Sequence, residues 1–158
     1  MQTQTRGVKI VLGVAAIVQF ASLCAVLGAM FMQKALLKRQ MMYSVHTDSF
    51  VVPYASLITA GLSLLMYVIV FCIVVTAGEE SSRVKAVISL ICLAVLKILC
   101  SYVGTVVNMV VVARNSAKAL AVHSVVESYA SMWSSPFALV ALILFCFGMG
   151  QSYESQDR

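Results

Sequence analysis

The sequence predicts an all-α integral membrane protein, a bundle of four antiparallel transmembrane helices arranged up and down. Three observations carry this. Of 158 residues, 61% are hydrophobic and only 11% charged, where a soluble domain of ordinary composition has about 25% charged. Mean hydropathy is +0.97, which places the chain in the membrane class before any segment is drawn. Four apolar runs then stand out, over residues 10–32, 52–77, 85–113 and 133–150. A helix needs about 20 residues at roughly 1.5 Å each to cross a hydrocarbon core of about 30 Å. The connecting loops are too short to fold alone, so residues 1–158 read as a single domain.

The first run, Ile10 to Met32, is longer than the ~7–15 residues of a signal-peptide core and reads as a retained span. Ala21, Ala25 and Ala29 recur every fourth residue, a small-residue spacing that lets another helix approach closely. Gln19 sits near mid-span. Nothing between Met32 and Met42 breaks a helix, so the first helix is expected to run on past the membrane surface, with Lys34 and Lys38 on one face.

Pro53 suits the first turn of the second span, where its missing donor costs nothing. This span carries Ser56, Gly61, Ser63 and Tyr67. Gly78 and the polar turn Glu79–Arg83 follow, and so short a link makes the second and third helices antiparallel neighbours.

The third run holds Lys97 near its middle, where an isolated charge costs about 2.5–3.5 kcal/mol or more. Ser101, Thr105 and Asn108 follow at offsets that put all four side chains on one helical face, with Gly104 beside them. That face is expected to point into protein, towards Gln19, Tyr67 or a partner chain, and the Val/Ile/Leu face into lipid. No carboxylate lies inside any expected span, so Lys97 has no ion-pair partner there.

Between Arg114 and Ser135 an amphipathic helix is expected to lie in the membrane interface. Val122, Val125, Val126, Tyr129 and Trp133 form its apolar side, with Lys118, His123 and Glu127 as polar residues on the other side. Ser135 and Pro136 then read as N-cap and first residue of the fourth span.

Four spans place both termini on one side. Arg6, Lys9, Arg83, Lys85 and Arg158 fall there, and Lys34, Lys38, Arg39, Arg114 and Lys118 on the other. The tally is tied, and the two bases without an acid ahead of the first span favour cytosolic termini. The net charge of +5 is spread along the chain in juxtamembrane positions, which is not a nucleic-acid footprint.

Catalytic motifs are absent: there is no serine elbow, no Cys-x-x-Cys, no His-Glu-x-x-His and no glycine-rich phosphate loop. His46, Asp48, His123 and Glu127 fall on one side and could be imagined around zinc, but solvated loop histidines are the plainer reading. No cofactor or metal is expected. The layout of two loops on one side and a tight turn on the other resembles the broad tetraspan group, without the claudin, tetraspanin or connexin cysteine motifs. The expected role is therefore non-enzymatic, an accessory, scaffold or assembly subunit that packs against other transmembrane proteins in the bilayer. The alternative is a homo-oligomeric channel or transporter with the stripe from Lys97 to Asn108 along its path.

Cys24, Cys72, Cys92, Cys100 and Cys146 all lie inside apolar runs, the pattern of small core residues rather than of a disulfide framework. The protein should migrate identically on reducing and non-reducing gels. A mobility shift abolished by replacing Cys24 or Cys146 would contradict this.

Overall fold

The computed structural model describes residues 2–39, 51–76, 91, 94–95, 98–99, 101–107, 109–110 and 117–154. Lys97, Asn108, His46, Asp48, Cys92 and Cys100, with the turn over 78–83, lie outside the described residues. What is described is helical apart from Met32 and the short approach over 51–53. The elements are α1 (Gln2–Phe31), α2 (Gln33–Arg39), α3 (Tyr54–Thr76) and α4 (Ala117–Glu154). Residues 101–107 form a further helical stretch. Among the described residues three segments are long and apolar enough to cross a membrane: Arg6–Phe31, Tyr54–Val75 and Leu120–Met149. These coincide with the first, second and fourth expected spans; most of 85–113 is outside the described residues.

Helix α1 organises the bundle. Its Gln19 side chain donates to the Ala60 carbonyl of α3 at 3.3 Å, and Gly13 faces the Phe71 ring. Numbers fall on α3 as they rise on α1, so the two are antiparallel. Towards α4, Gly148 abuts Val11 and Leu12, while the Ser22 hydroxyl donates to the Ser134 carbonyl at 3.1 Å. That pair is antiparallel too. Helices α3 and α4 are consequently parallel, touching at Ser56 with Glu127 and at Tyr67 with Phe145, whose rings lie 4.8 Å apart.

Two apolar clusters fill the seams. One joins Val8, Leu12 and Ala15 to Met66, Tyr67, Val70, Ala141 and Phe145. The other joins Val26 and Ala29 to Ala60 and Ala130. Ala29 is fully buried, while Ala21 and Ala25 are half-buried. Gly61 is different: a Cβ there would meet nothing within 4 Å, so it is no packing notch. The close approaches are at Gly104, where a Cβ would lie 3.5 Å from the Ala55 backbone, and at Gly148.

The first helix does run on past Met32. A single turn residue interrupts it, with the Met32 carbonyl accepting from Ala35 at 3.0 Å and Leu36 at 3.1 Å. The expectation for the fourth span needs correction. No helix starts at Pro136; α4 is one helix of 38 residues with Pro136 inside it, about 57 Å long at 1.5 Å per residue. Nor does 117–133 lie as a separate interfacial helix. Its apolar side packs on α1 and α2, with Val122, Val126 and Ala130 fully buried. That packing overrides the local Ser-Ser-Pro signal, because burying three side chains outweighs one missing backbone bond. A proline inside a helix loses its bond to the carbonyl four residues back, and spans tolerate this where neighbours and hydroxyls supply replacement contacts. The Ser22 hydroxyl reaches the backbone of α4 within that turn.

Cys24, Cys72 and Cys146 form no disulfide and are exposed on the helix surfaces. The Gly148 crossing gives a test. A Cβ there would meet Leu12 at 3.1 Å and Val11 at 3.2 Å, so Gly148→Leu should cost about 1–3 kcal/mol by overpacking. Unfolding in denaturing detergent measures it, and Gly61→Leu, facing open space, should leave the midpoint nearly unchanged.

Candidate functional site

The polar residues of three apolar helices converge on one cleft of about 900 Å³. Gln19 and Ser22 of α1 form its floor, Ser56, Thr59 and Ser63 of α3 one wall, and Glu127, Ser128 and Ser131 of α4 the other. Ser134 and Ser135 continue the second wall down to Pro136. The local reason is periodicity. Ser128, Ser131 and Ser135 fall at offsets of three and four and share a helical face, while the buried Val122, Val126 and Ala130 on the adjoining side hold α4 on α1.

At one end of the cleft Glu127 closes the amino terminus of α3. One carboxylate oxygen, Oε1, accepts from the Ser56 amide at 2.7 Å and also from the Ser56 hydroxyl. The first four amides of a helix have no intrahelical acceptor. Helix α3 has no acidic residue in its first turn, and Pro53 before it has no side-chain acceptor. The cap is supplied from another helix, and the negative charge also suits the positive end of the α3 dipole. The second oxygen, Oε2, is buried without a hydrogen-bond partner.

Deeper in, Gln19 is 1% exposed. Its Nε2 donates to Ala60, while Oε1 is buried and without a partner. Several serine hydroxyls donate within the bundle: Ser128 to the Ser124 carbonyl at 2.8 Å, Ser134 to Ser131 at 3.2 Å, and Ser22 to Ser134. Hydroxyl groups dominate the lining, while Gln19 Oε1 and Glu127 Oε2 are themselves buried. Among the described residues no lysine or arginine lines it.

Of the polar cluster expected around the third span, Gln19, Tyr67, Ser101 and Thr105 are among the described residues. Gln19 and Tyr67 are buried at the centre of the bundle, with Tyr67 against Phe145. Ser101 and Thr105 are exposed, and the Thr105 hydroxyl donates to the Ser101 carbonyl at 3.0 Å. Among the described residues of that face Gly104 is buried, against Ala55 and Ile58. At 3.6 residues per turn Ile58 lies roughly 160° round α3 from Ala60, so α3 stands between this stretch and Gln19. Lys97 and Asn108 lie outside the described residues. His123 and Glu127, expected to be solvated, are half-buried, and His123 Nε2 is buried without a partner. Among the described residues no group of three metal-ligating side chains occurs.

Sequence reasoning missed the pairing of Ser56 with Glu127. The available signal was an acid on a segment that continues into an apolar helix, together with a helix start that lacks its own cap. No protein family, curated protein or solved structure matches the chain.

The cap gives a direct prediction. Glu127→Gln keeps an acceptor for the Ser56 amide and should cost below about 1 kcal/mol. Glu127→Leu leaves that amide unpaired and should cost about 1–3 kcal/mol. Reversible unfolding in mixed micelles distinguishes them, and equal costs for the two variants would remove Glu127 as the cap.

Proposed function

We propose that the chain is a four-span membrane protein without catalytic activity, an accessory or assembly subunit that packs against other transmembrane segments. The four-span count is supported by the parallel course of α3 and α4. A chain leaving α3 at Thr76 must return across the bundle before α4 begins at Ala117. Residues 77–116 are 40 residues, ample for a crossing of about 30 Å. Gly104 already lies against the first turns of α3. Both termini then share a side, taken as cytosolic from the basic flank ahead of the first span.

The observation that carries the assembly role is the exposure of Ser101 and Thr105. They sit on an apolar segment whose Tyr102, Val103 and Val106 are also exposed. Hydroxyl-bearing faces on membrane helices are preferentially covered by other helices, where their lone pairs find donors. Within this chain nothing described covers them. Lys97, two helical turns before Gly104 in sequence, adds a cation that is costly in lipid and is accommodated by a partner's carboxylate. Self-burial is low as well: 28%, 28% and 22% of the three apolar windows is buried within the chain, which leaves ample surface for neighbours.

Native mass measurement in mild detergent tests this. The wild-type protein should appear above single-chain mass, as a hetero-complex; an integer multiple of the chain mass would favour the homo-oligomeric channel instead. The double change Ser101→Leu, Thr105→Leu should reduce the assembled fraction. Lys97→Met should abolish co-purification where a partner carboxylate is left unpaired, at about 3–5 kcal/mol. Single-chain mass in both detergent and nanodiscs, unaffected by either variant, would defeat the assembly role.

A further inference from the structure

The cleft between α3 and α4 lies on a different surface from the face carrying Ser101 and Thr105, and it is closed at both ends. At one end the Ser56 amide donates to Glu127. At the other the Tyr67 and Phe145 rings meet, with centroids 4.8 Å apart. The opening between these two contacts is about 16 Å long along α3, at 1.5 Å per residue. A transmembrane helix of about 30 Å cannot seat in a window that short, so the cleft suits a compact molecule. Its volume of about 900 Å³ is within the range of small-molecule sites, roughly 300–1,000 Å³. Entry is from the side, past the exposed Ser131, Met132 and Ser135, and therefore from the bilayer.

The two walls carry hydroxyls at matching intervals. Ser56, Thr59 and Ser63 on α3 repeat the spacing of Ser128, Ser131 and Ser135 on the parallel α4, which puts each set on one helical face. Hydroxyls on helices are commonly satisfied by their own backbone, as Ser128 is by the Ser124 carbonyl. Thr59, Ser63, Ser131 and Ser135, by contrast, have no hydrogen-bond partner for their hydroxyls among the described residues. Ser63 carries the most weight. It is only 4% exposed, yet its Oγ is not sealed as Gln19 Oε1 and Glu127 Oε2 are, so the hydroxyl opens into the cleft it lines. It stands about 13 Å inside the start of α3. The α4 wall adds an acceptor: Met132 and Pro136 both line the cleft, and Pro136 has no amide to give the Met132 carbonyl.

We propose that this cleft binds an uncharged lipid by its hydroxyl group, seated at Ser63 Oγ, with the apolar body leaving sideways between the helices. A hydroxyl both donates and accepts, which matches the unpaired serine and threonine hydroxyls together with the Met132 carbonyl. Charged headgroups fit poorly. Among the described residues no lysine or arginine lines the cleft, the unpaired oxygen of Glu127 is sealed, and a charge about 13 Å into the bilayer is costly. A sterol and a diacylglycerol both carry the required group. Such binding requires the membrane setting of the bundle but not its assembly role, and lipid retention reads it separately from the mass of any complex.

The test uses the full chain in phosphatidylcholine nanodiscs containing equal amounts of cholesterol and its methyl ether, or of a diacylglycerol and its methyl ether. Lipid that stays with the protein after transfer to mild detergent is extracted and quantified by mass spectrometry. In at least one pair the wild-type protein should retain the free hydroxyl about fivefold over the ether, as one hydrogen bond of ordinary net strength gives. The pair that shows the preference identifies the carrier as sterol or glyceride. Ser63→Ala removes the hydroxyl, keeps a good helix former and should bring that ratio to about one. Ser135→Leu, placed on the exposed wall, should fill the cleft and lower retention of both members of the pair; it carries the test should Ser63→Ala fail to fold. Equal retention within both pairs by wild type, or an undiminished preference in Ser63→Ala, would overturn the proposal. So would retention of neither lipid together with an assembled fraction that Ser135→Leu reduces, which would make the cleft a protein-docking surface.

Discussion

The packing of α1 against both α3 and α4 is the constraint from which the other features follow. Within hydrocarbon every backbone polar group must be satisfied inside its own segment, so the spans have to be helices. What remains to be decided is how they lie. Because Gln19 and Gly13 set α3 antiparallel to α1, and Gly148 and Ser22 set α4 antiparallel to α1, the outer two are parallel. Parallel neighbours cannot be joined by a short turn. The long connection over 77–116 is a topological requirement of that packing.

The same arrangement creates the polar cleft. Two helices resting on a third leave a groove above it, and here the groove is lined by hydroxyls and closed at one end by Glu127. The groups that line it do structural work first. Gln19 ties α1 to α3, Ser22 ties α1 to α4, and Glu127 ties α4 to α3. Each is a side chain bonding to the backbone of a neighbouring helix, the kind of contact that fixes register where hydrophobic burial gives little discrimination between helices and lipid. Two of them leave an oxygen buried without a hydrogen-bond partner, one on Gln19 and one on Glu127.

Much of the fold is legible in the sequence, because length and hydropathy locate membrane helices with little ambiguity. Long apolar helices over the first, second and fourth runs were evident, as was the extension beyond Met32. The start of α4 was not. Ser-Ser-Pro is a sound local signal for a helix start, but Val122, Val126 and Ala130 on α1 are tertiary contacts that no local signal reports. The candidate site was less legible still. Lys97 dominates any reading by charge alone, whereas the cleft depends on which face of each helix meets which neighbour. Ser56, Ser22 and Glu127 are ordinary residues in their own segments and acquire significance only through the contacts across helices.

The central claim is a bundle crossed four times, with α3 and α4 parallel. Single cysteines at Ser44, Ser81 and Ser124, introduced after replacing the five native cysteines, can be labelled in sealed vesicles with a membrane-impermeant maleimide. Four crossings predict that Ser44 and Ser124 label from one side of the membrane and Ser81 from the other. Labelling of Ser81 from the same side as the other two would contradict the account.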